Sequence, residues 1–221
     1  MSKSVVITGS NRGIGFSFAT LYKARGWTVY ALCRQSSSQL NALGVEVIEG
    51  IDISDDQVSD VLRSALLGVT IDLLINNAGI LRNEVLGELD FSSMREQFEA
   101  NTLGPLRVTE ALLSQISDGG KIALISSRMG SVSDNSSGGR YGYRMSKAAL
   151  NIAGVSLARD VAARNIAVAI LHPGLVGTEM IGGHGDITPD QAADRLATRI
   201  DQLTIDTSGT FWHSNGETLP W

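Results

Sequence analysis

Cysteine is nearly missing from this chain. Cys33 is the one thiol in 221 residues, which excludes an intrachain disulfide and a cysteine-rich metal site and fits a reducing compartment. Proline is scarce too, 4 residues against 24 glycines. Average usage is roughly 5% and 7%, so the chain is neither collagen-like nor a Pro/Gly-rich disordered mixture. Aromatic residues make up only 5%, too few for a base-stacking platform. Positive charge is not in surplus: 18 Lys and Arg face 23 Asp and Glu, a net charge of −5. That removes the general attraction a nucleic acid or an anionic membrane would exert. No apolar run approaches the ~18 residues of a membrane span. Val5-Val6-Ile7 follows the first residue so closely that no signal peptide fits before it. The expectation is a soluble, cytoplasmic protein. Its three scattered histidines, His172, His184 and His213, offer no metal site.

What is present is enough apolar content, 43%, for a sizeable core in a single domain spanning residues 1–221. Short β-branched runs alternate with longer helical patterns. Strands are expected at Ser4–Thr8, Trp27–Cys33, Val45–Ile51, Ile71–Asn76, Lys121–Ser127, Ile166–His172 and Gly209–His213. Helices are expected at Gly13–Arg25, Asp55–Leu66, Ser92–Ile116 (interrupted by Gly104-Pro105), Gly142–Arg164 and from Pro189 toward Gln202. Strands apolar throughout and separated by helices indicate a parallel sheet buried on both faces. Right-handed crossovers then give a doubly wound α/β Rossmann fold of about seven strands.

Chemistry-bearing residues gather where these strands end. Gly9, Gly13 and Gly15 surround Ser10, Asn11, Arg12 and Ile14 between the first strand and its helix. Such a turn lets a pyrophosphate reach backbone N–H groups at a helix N-terminus; it also serves as a plain turn. Asp52, next to Ile53, suits an adenine amino group or a helix cap. Asn77, Ala78 and Gly79 suit close backbone packing beside a cofactor. Tyr143 and Lys147 lie four apart at the start of a long helix and face the same way. At ~4 Å and an effective dielectric of ~20, an ammonium would favour the phenolate by about 4 kcal/mol, roughly three pKa units, making the tyrosine a general acid/base. Tyr141 has only Met145 at the equivalent spacing. Ser126 and Ser127 close a strand and point to opposite faces, so one of the two can serve. Asn101 sits mid-helix, where an interruption would expose a carbonyl to water.

Six motifs in order resemble the short-chain dehydrogenase/reductase family over essentially the whole chain. They are Thr8–Gly15, Asn76–Gly79, Asn101, Ser127, Tyr143–Lys147 and Pro173–Thr178. The stretches around Gly130–Asn135, Tyr141–Asn151 and Ser208–His213 are more closely similar to the C-factor and sniffer-like carbonyl reductases. The resemblance implies that Tyr143 gives a proton to the substrate oxygen or takes one from it. By the same likeness, Lys147 lowers the Tyr143 pKa and holds the nicotinamide ribose. Ser127, favoured over Ser126, binds the carbonyl oxygen. Asn101 holds a water linking Lys147 to solvent. Pro173, Gly174, Val176 and Thr178 fix the nicotinamide carboxamide.

NAD-preferring Rossmann sites carry an acid after the second strand. Here that position lacks one and Arg34 follows, while Arg12 stands in the glycine loop. Two guanidiniums suited to a phosphate predict NADP(H) over NAD(H). The segment from about 175 to 203 is expected to form the substrate lid, with mobile glycines at 182, 183 and 185. The expected activity is a carbonyl reductase or alcohol dehydrogenase acting on a small or medium ketone or aldehyde, with a homodimer or homotetramer as the assembly. The rival readings are an NAD-linked alcohol dehydrogenase working oxidatively and a cofactor-binding, C-factor-like signalling protein.

Overall fold

The computed structural model describes residues 2–221. Strands β1 (Ser4–Thr8), β2 (Thr28–Leu32), β3 (Glu46–Ile48), β4 (Ile71–Asn76), β5 (Ile116–Ile125), β6 (Ala167–His172) and β7 (Phe211–His213) form one parallel sheet in the order β3-β2-β1-β4-β5-β6-β7. Alternation along each strand divides its side chains between two cores. Val6, Leu74, Ile122 and Val168 face helices α3 (Val58–Ala65), α5 (Gly104–Leu112) and α6 (Tyr141–Asp160). Val5, Ile7, Leu73, Ile75 and Ala169 face α1 (Gly13–Ala24), the short α2 (Ser38–Ala42) and α7 (Pro189–Gln202). The middles of the central strands, Val5–Ile7, Leu73–Ile75 and Ile122–Ile125, are therefore apolar at every position because both of their faces are covered. The chain leaves β1 on opposite sides, toward β2 and toward β4, and the crevice beyond their carboxyl ends is where such sheets take ligands.

Three elements differ most from the sequence pattern, beside an unexpected short α2 and a β7 that begins at Phe211 rather than Gly209. Strand β3 stops at Ile48 rather than Ile51, because Gly50 (φ +75°) turns the chain away. Strand β5 runs from Ile116, five residues before the expected Lys121, to Ile125, two short of the expected Ser127. Ser117-Asp118-Gly119-Gly120 reads as a turn, yet it is carried in the strand as a register shift opposite Ile71–Leu73. The third concerns the break in the long helical stretch. Helix α4 (Phe91–Phe98) passes into a π turn at Glu99–Leu103, and Gly104-Pro105 opens α5 instead of breaking a helix. Proline is tolerated in this unbroken helical run because it follows directly on the π turn, where the regular backbone ladder is already disturbed.

Candidate active site

The turn after β1 is built by close approach. Gly9 holds φ +68°, and a Cβ there would sit 3.0 Å from Ala78 Cα. At Gly15 a Cβ would fall 2.1 Å from the Gly9 carbonyl oxygen and 2.6 Å from Asn77 Nδ2. The Asn76–Gly79 motif braces this turn. Asn77 Nδ2 donates to the Thr8 carbonyl at 3.0 Å, and the N–H groups of Asn77 and Ala78 both donate to Thr8 Oγ1 at 3.0 Å. Ser10 is fully buried with its hydroxyl on the Ile7 carbonyl at 2.7 Å, so its side chain shapes the turn from inside. Helix α1 then starts with Arg12 as its N-cap, making no side-chain cap bond. The first-turn N–H groups are thus left to a ligand.

A cleft of about 630 Å³ runs over this turn. Gly9, Asn11, Arg12, Gly13, Ile14, Arg34, Asp52, Ile53, Asn77, Ala78, Gly79 and Thr178 line it. Arg34 lies 3.9 Å from Asp52, and both side chains remain largely accessible. Asp52 Oδ1 accepts from the Ser54 N–H at 3.0 Å and its hydroxyl at 2.6 Å. It therefore caps a turn and faces the cleft at once. The residues and the cleft fit a dinucleotide: a tightly packed glycine turn, an uncapped helix start and two guanidiniums at the rim.

Tyr143 and Lys147 are 9% and 4% exposed on the first turns of α6. Lys147 Nζ donates to the Ile125 carbonyl at 2.8 Å and lies 5.9 Å from the centre of the Tyr143 ring. The expected drop of the Tyr143 pKa under the Lys147 charge is not what this geometry produces. Burial pushes the Tyr143 phenol up, against weaker downward pulls from a hydrogen bond with Ser127 and from the Arg140 charge. Burial also brings the Lys147 ammonium down to about 8. Ser126 and Ser127 lie just past the end of β5, and their side chains part. Ser126 Oγ donates to Asn151 Oδ1 at 2.5 Å, beneath α6, whereas Ser127 Oγ accepts from the Met129 N–H at 3.2 Å and acts on the Tyr143 phenol. Tyr141 is part-buried and off this cluster.

Asn101 is fully buried within the π turn. Its Oδ1 accepts from the Ile80 N–H at 2.8 Å, and its Nδ2 donates to the Ile80 carbonyl at 2.8 Å and to Ser146 Oγ at 3.0 Å. A Cβ built on Gly79 would lie 2.9 Å from Asn101 Oδ1 and 3.7 Å from Lys147 Nζ. Asn101 thus clamps the chain just beyond Gly79, next to the lysine. Pro173, Gly174 and Val176 do not line the cleft; they shape the turn that carries Thr178 to it. The Pro173 carbonyl accepts from Ser214 Oγ at 2.8 Å, and Val176 bridges to Ile187. His172 packs edge-on to His213 at 4.9 Å between ring centres. Burial, helped by the His213 and Arg128 charges, pushes the His172 pKa to about 3.

The segment expected as a lid is tied at its start. A Cβ on Gly185 would meet the Gly177 nitrogen at 2.2 Å, so this glycine serves close packing. His184 stays exposed between Gly183 and Gly185. Glu179 is a residue the motifs did not flag: it pairs with Arg12 at 2.8 Å, joining this segment to the glycine turn. Met180, Ser54 and Arg82 also line the cleft, and nothing in their local sequence separates them from ordinary loop residues. Among the described residues there is no cluster able to hold a metal ion, and no helix is long and apolar enough to cross a membrane.

The family described as short chain dehydrogenase matches residues 3–187. The 1-hydroxy-2-glutathionyl-2-methyl-3-butene dehydrogenase of Rhodococcus sp. (strain AD45) is 39% identical over 99% of each chain. The C-signal of Myxococcus xanthus is 40% identical over 68% of this chain and 93% of its own. Among solved structures, NADPH-bound carbonyl reductase from chicken fatty liver superposes with a TM-score of 0.88, 28% identity, and coverage of 100% of this chain and 99% of that one.

Proposed function

The chain belongs to the short-chain dehydrogenase family, and from that premise we propose that it is an NADPH-preferring carbonyl reductase of small or medium ketones and aldehydes, reversible toward the alcohol. The family makes it an NAD(P)-dependent oxidoreductase of small molecules; substrate class, cofactor preference and residue roles are the proposal. One observation carries it: a buried phenol, Tyr143, has Ser127 acting on it and the Lys147 ammonium 5.9 Å from its ring centre, and that lysine packs behind Gly79, which lines the cleft over the glycine turn.

In this reading Gly9–Gly15 would hold the cofactor's pyrophosphate, Asp52 and Ile53 its adenine and Thr178 its carboxamide. When bound it would supply the hydride. Arg12 and Arg34 would hold the extra phosphate. Ser127 donates to the carbonyl oxygen, and Tyr143 delivers the proton. A phenol whose pKa burial has raised is fully protonated at neutral pH, the state a donor in the reductive direction needs. Lys147, with its pKa near 8, resupplies that proton, and Asn101 holds Gly79 and Ile80 in place beside it. Reduction should therefore fall off as pH rises through about 8. The segment 175–203 covers substrate, with Glu179 and Met180 at the cleft. Self-association as a homodimer or homotetramer is supported by Phe91, Met145 and Ile152, which are 61%, 56% and 66% exposed on α4 and α6.

The test is NADPH oxidation over a panel of aldehydes and ketones. Tyr143→Phe should lower kcat by about 10²–10⁴-fold while NADPH still binds. Full activity in that variant removes Tyr143 as the donor. A second reading draws on the C-signal relative: tight NADPH binding with no turnover on the panel would favour a signalling protein. Equal dissociation constants for NADPH and NADH would favour an NAD-linked dehydrogenase.

A further inference from the structure

Just ahead of Tyr143 the backbone adopts a shape that proton transfer does not require. Gly138, Gly139 and Arg140 follow one another at φ +63°, +63° and +50°. This left-handed turn has the residue suited to it in its first two places and an arginine in the third. Two side chains hold the turn. Glu84, 3% exposed, accepts the Arg140 N–H through its backbone carbonyl at 3.0 Å and the Gly142 N–H through its carboxylate at 3.1 Å. Arg144 Nε donates to the carbonyls of Gly138 at 3.2 Å and Gly139 at 3.1 Å, and its Nη2 donates to Ser137 Oγ at 2.8 Å. Arg144 is spent on the loop that it pins.

Arg140 is not spent. Its guanidinium reaches Met129 Sδ at 3.8 Å, a weak acceptor. Among the described residues the ion pairs use other arginines, the neighbouring Arg128 being taken by Asp134. Beside Arg140 opens a cavity of about 490 Å³, lined also by Glu84, Val85, Leu86, Met129 and Arg144. The Glu84 carboxylate and the Arg144 guanidinium are both engaged within the protein, which leaves Arg140 as the uncommitted charge, and Val85 and Leu86 offer apolar surface, 58% and 73% exposed. Arg140 is the N-cap of α6, with Tyr143 in the first turn of the same helix, and its charge acts on that phenol. A strained backbone that presents an uncommitted charge three residues ahead of a reacting group points to a binding role.

We propose that Arg140 anchors a carboxylate carried by the carbonyl substrate, so that the preferred substrates are anionic ketones or aldehydes whose hydrocarbon body lies along Val85 and Leu86. The proposal rests on the reductase reading. A guanidinium fork meets a carboxylate through two parallel hydrogen bonds. With a net charge of −5, the protein as a whole repels anions, so the attraction is local.

The experiment compares 4-carboxybenzaldehyde with 4-carbamoylbenzaldehyde, nearly equal in shape and different in charge, on the full chain with saturating NADPH. Arg140→Gly is the decisive variant, because glycine occupies the left-handed position freely and keeps the turn. The acid-to-amide ratio of kcat/KM should fall about tenfold in Arg140→Gly, partly recover in Arg140→Lys, and shrink at high salt in the unaltered protein. An unchanged ratio, or equal losses on both aldehydes, overturns the proposal. If the unaltered protein reduces neither aldehyde, the reductase reading fails on these substrates. The subsite is then decided by calorimetry with benzene-1,4-dicarboxylate in the presence of NADP⁺. Binding that disappears in Arg140→Gly supports it; no binding, or binding the variant retains, overturns it.

Discussion

The two halves of the sheet's carboxyl edge are built on different physics. Beyond β1 and β4 the structure is a matter of shape. Gly9, Gly15 and Ala78 approach until no further atom fits, and Thr8 and Asn77 lock the approach with neutral hydrogen bonds. Beyond β5 and β6 it is a matter of desolvated charge. Lys147 and His172 are held where burial favours their neutral forms, and Tyr143 is held protonated. The first half should fail by steric exclusion, all at once. The second should fail by degrees and with pH.

The largest effect on cofactor binding should come from Gly15→Ala. Its methyl would enter the Gly9 carbonyl, costing about 3 kcal/mol, on the order of 10 °C in Tm, with NADPH binding lost; a normal melt and titration would break the comparison at its steric half. Next is the pH dependence of stability. Between the Lys147 pKa of about 8 in the fold and its ordinary 10.5, the unfolded chain binds a proton that the folded chain does not. Stability attributable to Lys147 therefore rises with pH across that window, by up to about 3 kcal/mol. Lys147→Met should remove the rise in denaturant titrations at pH 8 and pH 10. His172 obeys the same rule on the acid side. Stability should fall as pH drops from 6.5 toward 3, since only the unfolded chain takes the proton. His172→Gln should flatten that limb. Smaller again is Arg34→Gln, expected to weaken NADPH about tenfold and NADH hardly at all in fluorescence titrations. The smallest is Glu179→Gln. Its pair with Arg12 is exposed on both sides, 66% and 75%, so the change in Tm should correspond to less than about 1 kcal/mol. A loss several times larger would mean that the lid stabilises the glycine turn.

The strands and the glycine turn were legible in the sequence because their signals are local. Val5-Val6-Ile7 and Leu73-Leu74-Ile75 are buried on both faces, and apolar at every position is what that requires. Ser126 and Ser127 were separable in principle by alternation, and the fold sets both just past the end of β5, with Ser126 bonded under α6 and Ser127 acting on the Tyr143 phenol. What stayed hidden depends on partners far away in the chain. The Arg12–Glu179 pair joins residues 167 apart, and Glu84 reaches Gly142 across 58. In sequence both acids look like surface charges. The Tyr–Lys spacing gave the right neighbours but the wrong electrostatics, because spacing carries no information about burial. Ser117–Gly120 misled for a related reason: its turn-like residues are recruited into β5 by pairing with β4.

The π turn at Glu99–Leu103 is in effect a phase shifter. A helix with one residue more than its hydrogen-bond ladder needs is rotated by about 100° on one side relative to the other. α4 and α5 can therefore each seat their own apolar faces, while Asn101 points at Ile80 in neither helix's phase. Deleting a single residue from this turn would give a more regular helix and a worse protein. One of the two helices would have to turn its buried face outward, or Asn101 would have to leave the chain it clamps.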